Sequence, residues 1–286
     1  SALATRHPLC TQHSQLSTVI PDHPSTRSHM PSAPPTIRPR LELLPAFHSP
    51  QLGNRRDILV HLPASYQRSG RSYPVLYLQD GQNLFDPSTS YAGDWKLGKV
   101  MAAAARHGLE AIVVGVPNMG AERLAEYSPF VDPVDGGGVG DRYLDFLVKT
   151  LKPAIDRRFR TRPGRASTGI GGSSMGGLIS LYGFFRSPPA FGFAAVLSPS
   201  LWFAGGAIFS RIEAAAFVPG RLYLDIGALE GPEHVARARR MRDLLGAKGY
   251  RLGVGLSWLE SRCGRHDEAS WGRRFARALP FLLAGE

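Results

Sequence analysis

Between Asp57 and Leu283, short and nearly unbroken apolar runs alternate with longer stretches of helical periodicity. No other feature constrains the fold as strongly. Strands are expected at Asp57–Leu62, Pro74–Gln79, Ala111–Val116, Ala166–Gly171, Ala194–Ser198, Arg221–Gly227 and Arg251–Leu259. Most are apolar on both sides of the pleat, as in strands covered on both faces. Helices are expected at Asp94–His107, Arg142–Phe159, Met175–Arg186, Glu233–Lys248 and Glu268–Leu283. In the second, Tyr143, Leu144, Phe146, Leu147, Val148, Leu151 and Ile155 recur at threes and fours, which is the stripe of an amphipathic helix. Strand–helix alternation of this kind predicts an α/β fold, a mostly parallel doubly wound sheet with helices on both faces. The segment from Pro117 to Gly140, with Gly136–Gly137–Gly138 inside it, reads as a surface or active-site loop.

Composition excludes several alternatives. The chain has 286 residues, 43% of them hydrophobic and 20% charged, enough to bury a sizeable core. No stretch approaches the ~18 consecutive apolar residues of a membrane span. Two cysteines, Cys10 and Cys263, exclude a disulfide framework and a cysteine-rich zinc site. Residues 1–40 carry seven prolines among Ser, Thr and His, the pattern of a disordered or extended tail. That stretch lacks the apolar core of a signal peptide, so a cytoplasmic location is expected. The net charge of +11 raises the question of a polyanionic partner. All but five of the 34 basic residues are arginine, scattered in ones and twos, and the denser runs at 157–165 and 237–242 hold one aromatic between them, Phe159, too few for a single-strand stacking platform. A generally basic surface is the expectation, with a non-catalytic nucleic-acid binder as the reading from another class.

The chemistry concentrates in Ser167–Leu178, where Gly172-x-Ser174-x-Gly176 falls directly between an expected strand and an expected helix. A sharp strand-to-helix turn exposes the serine hydroxyl above the sheet, and glycines two residues to either side avoid collision at the turn. The alternative is a glycine-rich tight turn with no function. A serine hydroxyl needs a base and an orienting acid, in this arrangement in the order serine, acid, histidine. Of nine histidines only His234 and His266 follow Ser174. His266 lies just after the last expected strand, in a loop able to return over the serine, whereas His234 falls in the first turn of a helix. Asp225, near the end of the Arg221–Gly227 strand, and Glu230, in the loop beyond it, compete as the acid. An oxyanion hole requires two backbone N–H donors, expected from Met175 and from Gln82 in Asp80–Gly81–Gln82–Asn83. Trp95, Tyr127 and Trp202 fall in loops near the carboxyl edge of the sheet and read equally as substrate contacts or as packing. Arg123 reads as a receiver for an anionic substrate group or as half of an ion pair with Glu122 or Glu126.

Several segments together resemble the putative esterase family of α/β-hydrolases, which takes in enterochelin-type esterases, S-formylglutathione hydrolases, some feruloyl esterases and mycolyltransferases. They are Asp80–Gly81–Gln82–Asn83–Leu84–Phe85–Asp86, Glu126–Tyr127–Ser128–Pro129, Gly171–Gly172–Ser173–Ser174–Met175–Gly176–Gly177, Ser198–Pro199–Ser200–Leu201–Trp202, and His266 followed by Trp271. The resemblance runs in order from about Leu41 to Leu283. It implies an α/β-hydrolase domain over 41–286 that uses a serine nucleophile, no metal and no cofactor. By family position the acid is Glu230, three residues beyond the strand-ending glycine. The chain departs from the pattern after Trp95, where many relatives carry an acidic residue and Lys96–Leu97–Gly98–Lys99 stands here. The expected activity is that of a serine carboxylesterase acting on a small-molecule ester through Ser174, without nucleic-acid or membrane partners. Acyl transfer to an alcohol by the same three residues is the alternative.

Overall fold

The computed structural model of the protein describes residues 40–283. The Pro-rich stretch therefore lies outside the described residues, except Arg40, which opens a strand rather than closing a tail. Eight strands form one sheet: β1 Arg40–Ser49, β2 Asn54–Leu62, β3 Val75–Gln79, β4 Ile112–Val116, β5 Thr168–Ser173, β6 Phe193–Leu197, β7 Arg221–Gly227 and β8 Leu256–Ser261. Their order is β1-β2-β4-β3-β5-β6-β7-β8. The pairs β1–β2 and β2–β4 are antiparallel. All five remaining pairs are parallel.

The helices that cover the sheet are α1 Leu97–Ala105, α2 over 140–158, α3 Met175–Arg186, α4 Phe203–Ala214, α5 Pro232–Ala247 and α6 Glu268–Leu282. Alternation along each strand sends neighbouring residues to opposite cores. From β3, Val75 and Tyr77 join the core under α2, α3, α4 and α5, whereas Leu76 and Leu78 join the one under α1 and α6. Both faces are thus covered, as the alternation predicts. Helix α2 includes a π-helical turn, Phe146–Leu151, just before Pro153. Proline offers no N–H to an ordinary helical ladder, and Lys152 N–H reaches back to Leu147 O instead.

Three departures from the sequence reading have physical causes. Strand β1 was not expected: it is an edge strand, half exposed, and shifts register between Leu44 and Phe47 around Pro45. Helix α4 was not expected either, because Ala204, Gly205 and Gly206 carry left-handed backbone angles that break its periodicity. The connection read as a loop contains a short helix, Arg123–Glu126, and a small hairpin of Val131–Asp132 with Gly136–Gly137. Its anchor is buried Arg56 on β2, which donates to Glu126 through Nη1 (2.8 Å) and Nη2 (2.7 Å). No helix among the described residues is long and apolar enough to cross a membrane, and no cluster of three or more His, Cys, Asp or Glu there could hold a metal ion.

Candidate active site

Ser174 stands alone between β5 and α3, at φ 58° and ψ −123°. Left-handed backbone is costly for a residue with a Cβ, and persists where surrounding structure over-determines it. Here three backbone bonds hold it: Ser174 N–H to Leu197 O at 3.1 Å, and Leu178 N–H and Ser200 N–H to Ser174 O at 3.0 Å each. The flanking glycines leave no room for a side chain. A Cβ on Gly172 would stand 2.9 Å from both Gln79 Cβ and the carbonyl carbon of Gly176, and one on Gly176 would stand 2.9 Å from Gln79 Cβ. Two expectations from the glycine–serine–glycine spacing, the sharp turn and the crowding, therefore hold in this geometry.

The loop between β8 and α6 carries His266 back over the serine. Its Nε2 lies 3.0 Å from Ser174 Oγ, and its Nδ1 lies 2.7 Å from Glu230 Oε2. The Glu230 side chain is 1% exposed, whereas 47% of the imidazole faces solvent. Glu230 Oε1 accepts from Gly227 N–H (2.8 Å), Ser198 O–H (2.6 Å) and Arg274 Nη1 (3.2 Å). Burial pushes this carboxyl up, but hydrogen bonds from His266 and Ser198 and the charges of His266 and Arg274 prevail and hold it below the usual range. With three donors on Oε1, an ionised Glu230 turns Oε2 to an Nδ1–H of His266. Nε2 is then left as an acceptor toward Ser174.

Asp225 takes another place. It is fully buried within β7, accepting from Ser198 N–H at 3.0 Å and Tyr223 O–H at 3.1 Å, and makes no hydrogen bond to His266. Burial pushes its carboxyl up to about 7 against the pull of Arg274 and these two donors. His234, the other downstream histidine, sits in the first turn of α5 and lines a cleft without reaching Ser174 Oγ. Met175 is the first residue of α3, and N–H groups of a first turn have no acceptor within the helix. Gln82 lies in the short turn Gly81–Asn83, whose first bond runs from Asn83 N–H to Asp80 O and so leaves Gln82 N–H unused by it.

Two clefts meet at Ser174 and His266. The larger, about 580 Å³, is lined among others by Asp80, Gln82, Tyr91, Arg123 and Glu268. The smaller, about 460 Å³, is lined by Ser200, Trp202, Glu230 and His234. Trp202 is therefore at the site, 39% exposed. Trp95 is not. It is 3% exposed and packs against Phe275 with ring centroids 5.6 Å apart, so it belongs to the core beneath α1 and α6. Tyr127 is also wholly buried, its hydroxyl accepting Asp80 N–H at 3.0 Å, so it braces the loop that carries Gln82 instead of meeting a substrate. Arg123 lines the larger cleft but is paired, Nε and Nη2 each 2.8 Å from the carboxylate of Asp80, a partner neither of the expected glutamates supplies. Sequence reasoning did not single out Arg274, Ser200, Glu268 or Asn118, the last of which lines the larger cleft and donates from Nδ2 to Asp80 Oδ1 at 2.6 Å. Only Ser200 left a signal, its place in the Ser198–Pro199–Ser200 segment.

A profile for the family described as Putative esterase matches residues 49–282. An uncharacterized protein of Bacillus subtilis (strain 168), YbbA, is 30% identical over 198 residues, 66% of this chain and 74% of that protein. The siderophore triacetylfusarinine C esterase of Aspergillus fumigatus is 32% identical over 163 residues, so the match spans 53% of this chain and only 52% of that enzyme. Among solved structures, an IroE-like serine hydrolase from Shewanella oneidensis superposes with a TM-score of 0.68 at 23% identity, covering 85% of this chain and 80% of that one. A likeness at that identity is one of fold, here the α/β-hydrolase arrangement. On the profile match and the similarity to the Bacillus protein, the chain belongs to the putative esterase family of ester hydrolases.

Proposed function

We propose that the protein is a serine carboxylesterase that cleaves a small-molecule ester through an acyl-enzyme on Ser174. One observation carries the reading: Ser174 Oγ, His266 Nε2, His266 Nδ1 and Glu230 Oε2 form a continuous line with contacts of 3.0 and 2.7 Å. In that line Ser174 Oγ attacks the ester carbonyl and its proton passes to His266 Nε2. Met175 and Gln82 N–H groups receive the negative charge that builds on the carbonyl oxygen. As the carbon–oxygen bond breaks, the imidazolium returns the proton to the departing alcohol. Water then repeats the sequence, releasing the carboxylic acid and restoring Ser174. Glu230 stays ionised throughout and stabilises the imidazolium. The clefts on either side of Ser174 accommodate the acyl and alcohol portions, and Trp202 offers an exposed aromatic surface in the smaller one. Support for an ester substrate comes from the family and from the siderophore esterase among the relatives.

Pre-steady-state hydrolysis of activated aryl esters of graded acyl length tests the proposal. The expected result is a burst of about one phenolate per chain, followed by turnover that a competing alcohol diverts only weakly. No turnover of any ester would refute it. Preferential diversion to the alcohol would assign acyl transfer instead.

A further inference from the structure

Arg274 has no part in the mechanism above, yet its guanidinium reaches Glu230, Asp225 and Ser198. It projects from α6 with its side chain 3% exposed. Nη1 lies 3.2 Å from Glu230 Oε1 and Nε 3.2 Å from Asp225 Oδ2, while Nη2 donates to Ser198 Oγ. A Cβ on Gly264, in the loop that leads to His266, would stand 2.4 Å from Arg274 Nη1, so the glycine keeps the corridor open. One helical turn earlier, Trp271 donates Nε1–H to Ser198 Oγ at 3.1 Å and meets the His266 ring edge-on, centroids 4.8 Å apart at 81°.

The hydroxyl of Ser198 links these contacts. It has one proton to give and two lone pairs. Trp271 and Arg274 can only donate, so they occupy the lone pairs, and the single proton is directed at Glu230 Oε1. An oxygen that accepts from Ser198, Gly227 and Arg274 cannot itself carry a proton. The three donors fix the orientation of the carboxylate, and together with the adjacent Arg274 charge they favour its ionised form, which accepts Nδ1–H from His266.

We infer that Arg274 is a positioning residue: with Ser198 as relay, it holds Glu230 ionised and aimed at His266 Nδ1, so the last helix sets the protonation state of the triad. The inference rests on the triad reading given above. The charged and titratable groups facing Glu230 and His266 are Asp225 from β7, His234 from α5, Arg274 from α6, Asp267 and Glu268 at the start of α6, and, across the larger cleft, Asp80 paired with Arg123. Removing Arg274, the arginine in contact with Glu230, favours protonation of the triad. The acid limb of kcat/KM therefore moves to higher pH.

Four variants test this: Arg274→Met, Arg274→Lys, Ser198→Ala, and the double variant Arg274→Met with Asp225→Asn, which removes both partners of the buried Arg274–Asp225 pair. Each is first checked for a cooperative thermal transition. In the folded variants kcat should fall roughly a hundredfold, the scale of a misplaced catalytic group, with KM nearly unchanged. The acid limb should rise, the downfield Nδ1–H proton resonance of His266 should weaken, and Arg274→Lys should recover part of the loss. A folded double variant or Ser198→Ala with wild-type kcat, acid limb and resonance would overturn the inference. If the wild-type protein neither turns over an activated ester nor reacts at Ser174, the triad reading itself fails and this role falls with it. If wild type does both and the folded variants match it, only the positioning role fails.

Discussion

His61, on β2, is 3% exposed and stacks on Phe85 at 5.8 Å, and neither ring nitrogen has a hydrogen-bond partner among the described residues. Burial lowers its pKa from the usual 6.5 to about 4, prevailing over the opposing pull of the residue's own backbone. The unfolded chain thus binds a proton that the folded chain refuses, and stability present above pH 6.5 is lost as pH falls toward 4. For these two values the loss works out at about 2 kcal/mol at pH 5 and about 3 kcal/mol at pH 4. Asp225 acts in the opposite direction. Its carboxyl, raised to about 7, favours the folded state as pH falls from 7 toward the usual carboxyl range, so the wild-type profile alone conceals both effects. Substituting His61→Leu isolates one of them. Denaturant titrations of wild type and variant at pH 8, 6 and 5 give a stability difference at each pH. Lost stacking on Phe85 shifts all three equally, whereas the proton effect does not. The variant should gain about 2 kcal/mol on wild type between pH 8 and pH 5. A difference that stays constant across that range, or moves the other way, would refute the reasoning.

Three further outcomes follow from the same geometry. Glu230→Gln should cut kcat about 10⁴-fold, as loss of a triad carboxylate does; Asp225→Asn should instead lower stability at acid pH and recover relative to wild type as pH rises through 7, and steady-state kinetics with melts at pH 5 and 8 would expose an exchange of roles. Gly172→Ala forces a methyl to within 2.9 Å of Gln79 Cβ and should cost about 1–3 kcal/mol with loss of labelling at Ser174; an unchanged melting temperature would contradict the crowding. Hydrolysis of neutral esters should vary little between low and high salt, and DNA should bind weakly, whereas submicromolar and steeply salt-dependent binding would give the basic surface a function.

What was legible in the sequence was whatever period and punctuation encode. Met175–Arg186 and Arg221–Gly227 were placed to the residue, because one follows a Gly-rich turn directly and the other is a compact apolar strand. Ser174 and His266 stand out as candidates for a related reason, since each follows the carboxyl end of a strand, whereas only family position separates Glu230 from Asp225 in the sequence. Strand β1 escaped because an edge strand with one wet face and an internal proline lacks a clean alternation. The aromatics could not be sorted, because Trp95, Tyr127 and Trp202 have similar loop contexts and differ only in what packs over them. Arg274 was invisible: it is one of many arginines on an amphipathic helix, and only the fold brings it to a serine 76 residues away.

The central claim is that Ser174 is the nucleophile, and intact mass followed by peptide mapping after treatment with a fluorophosphonate tests it most directly. One adduct per chain should form, on the peptide containing Ser174. It should vanish in Ser174→Ala together with about 10⁴- to 10⁶-fold in turnover, while the melting temperature is kept. An adduct on Ser173 or another residue, or turnover that survives in folded Ser174→Ala, would contradict the account.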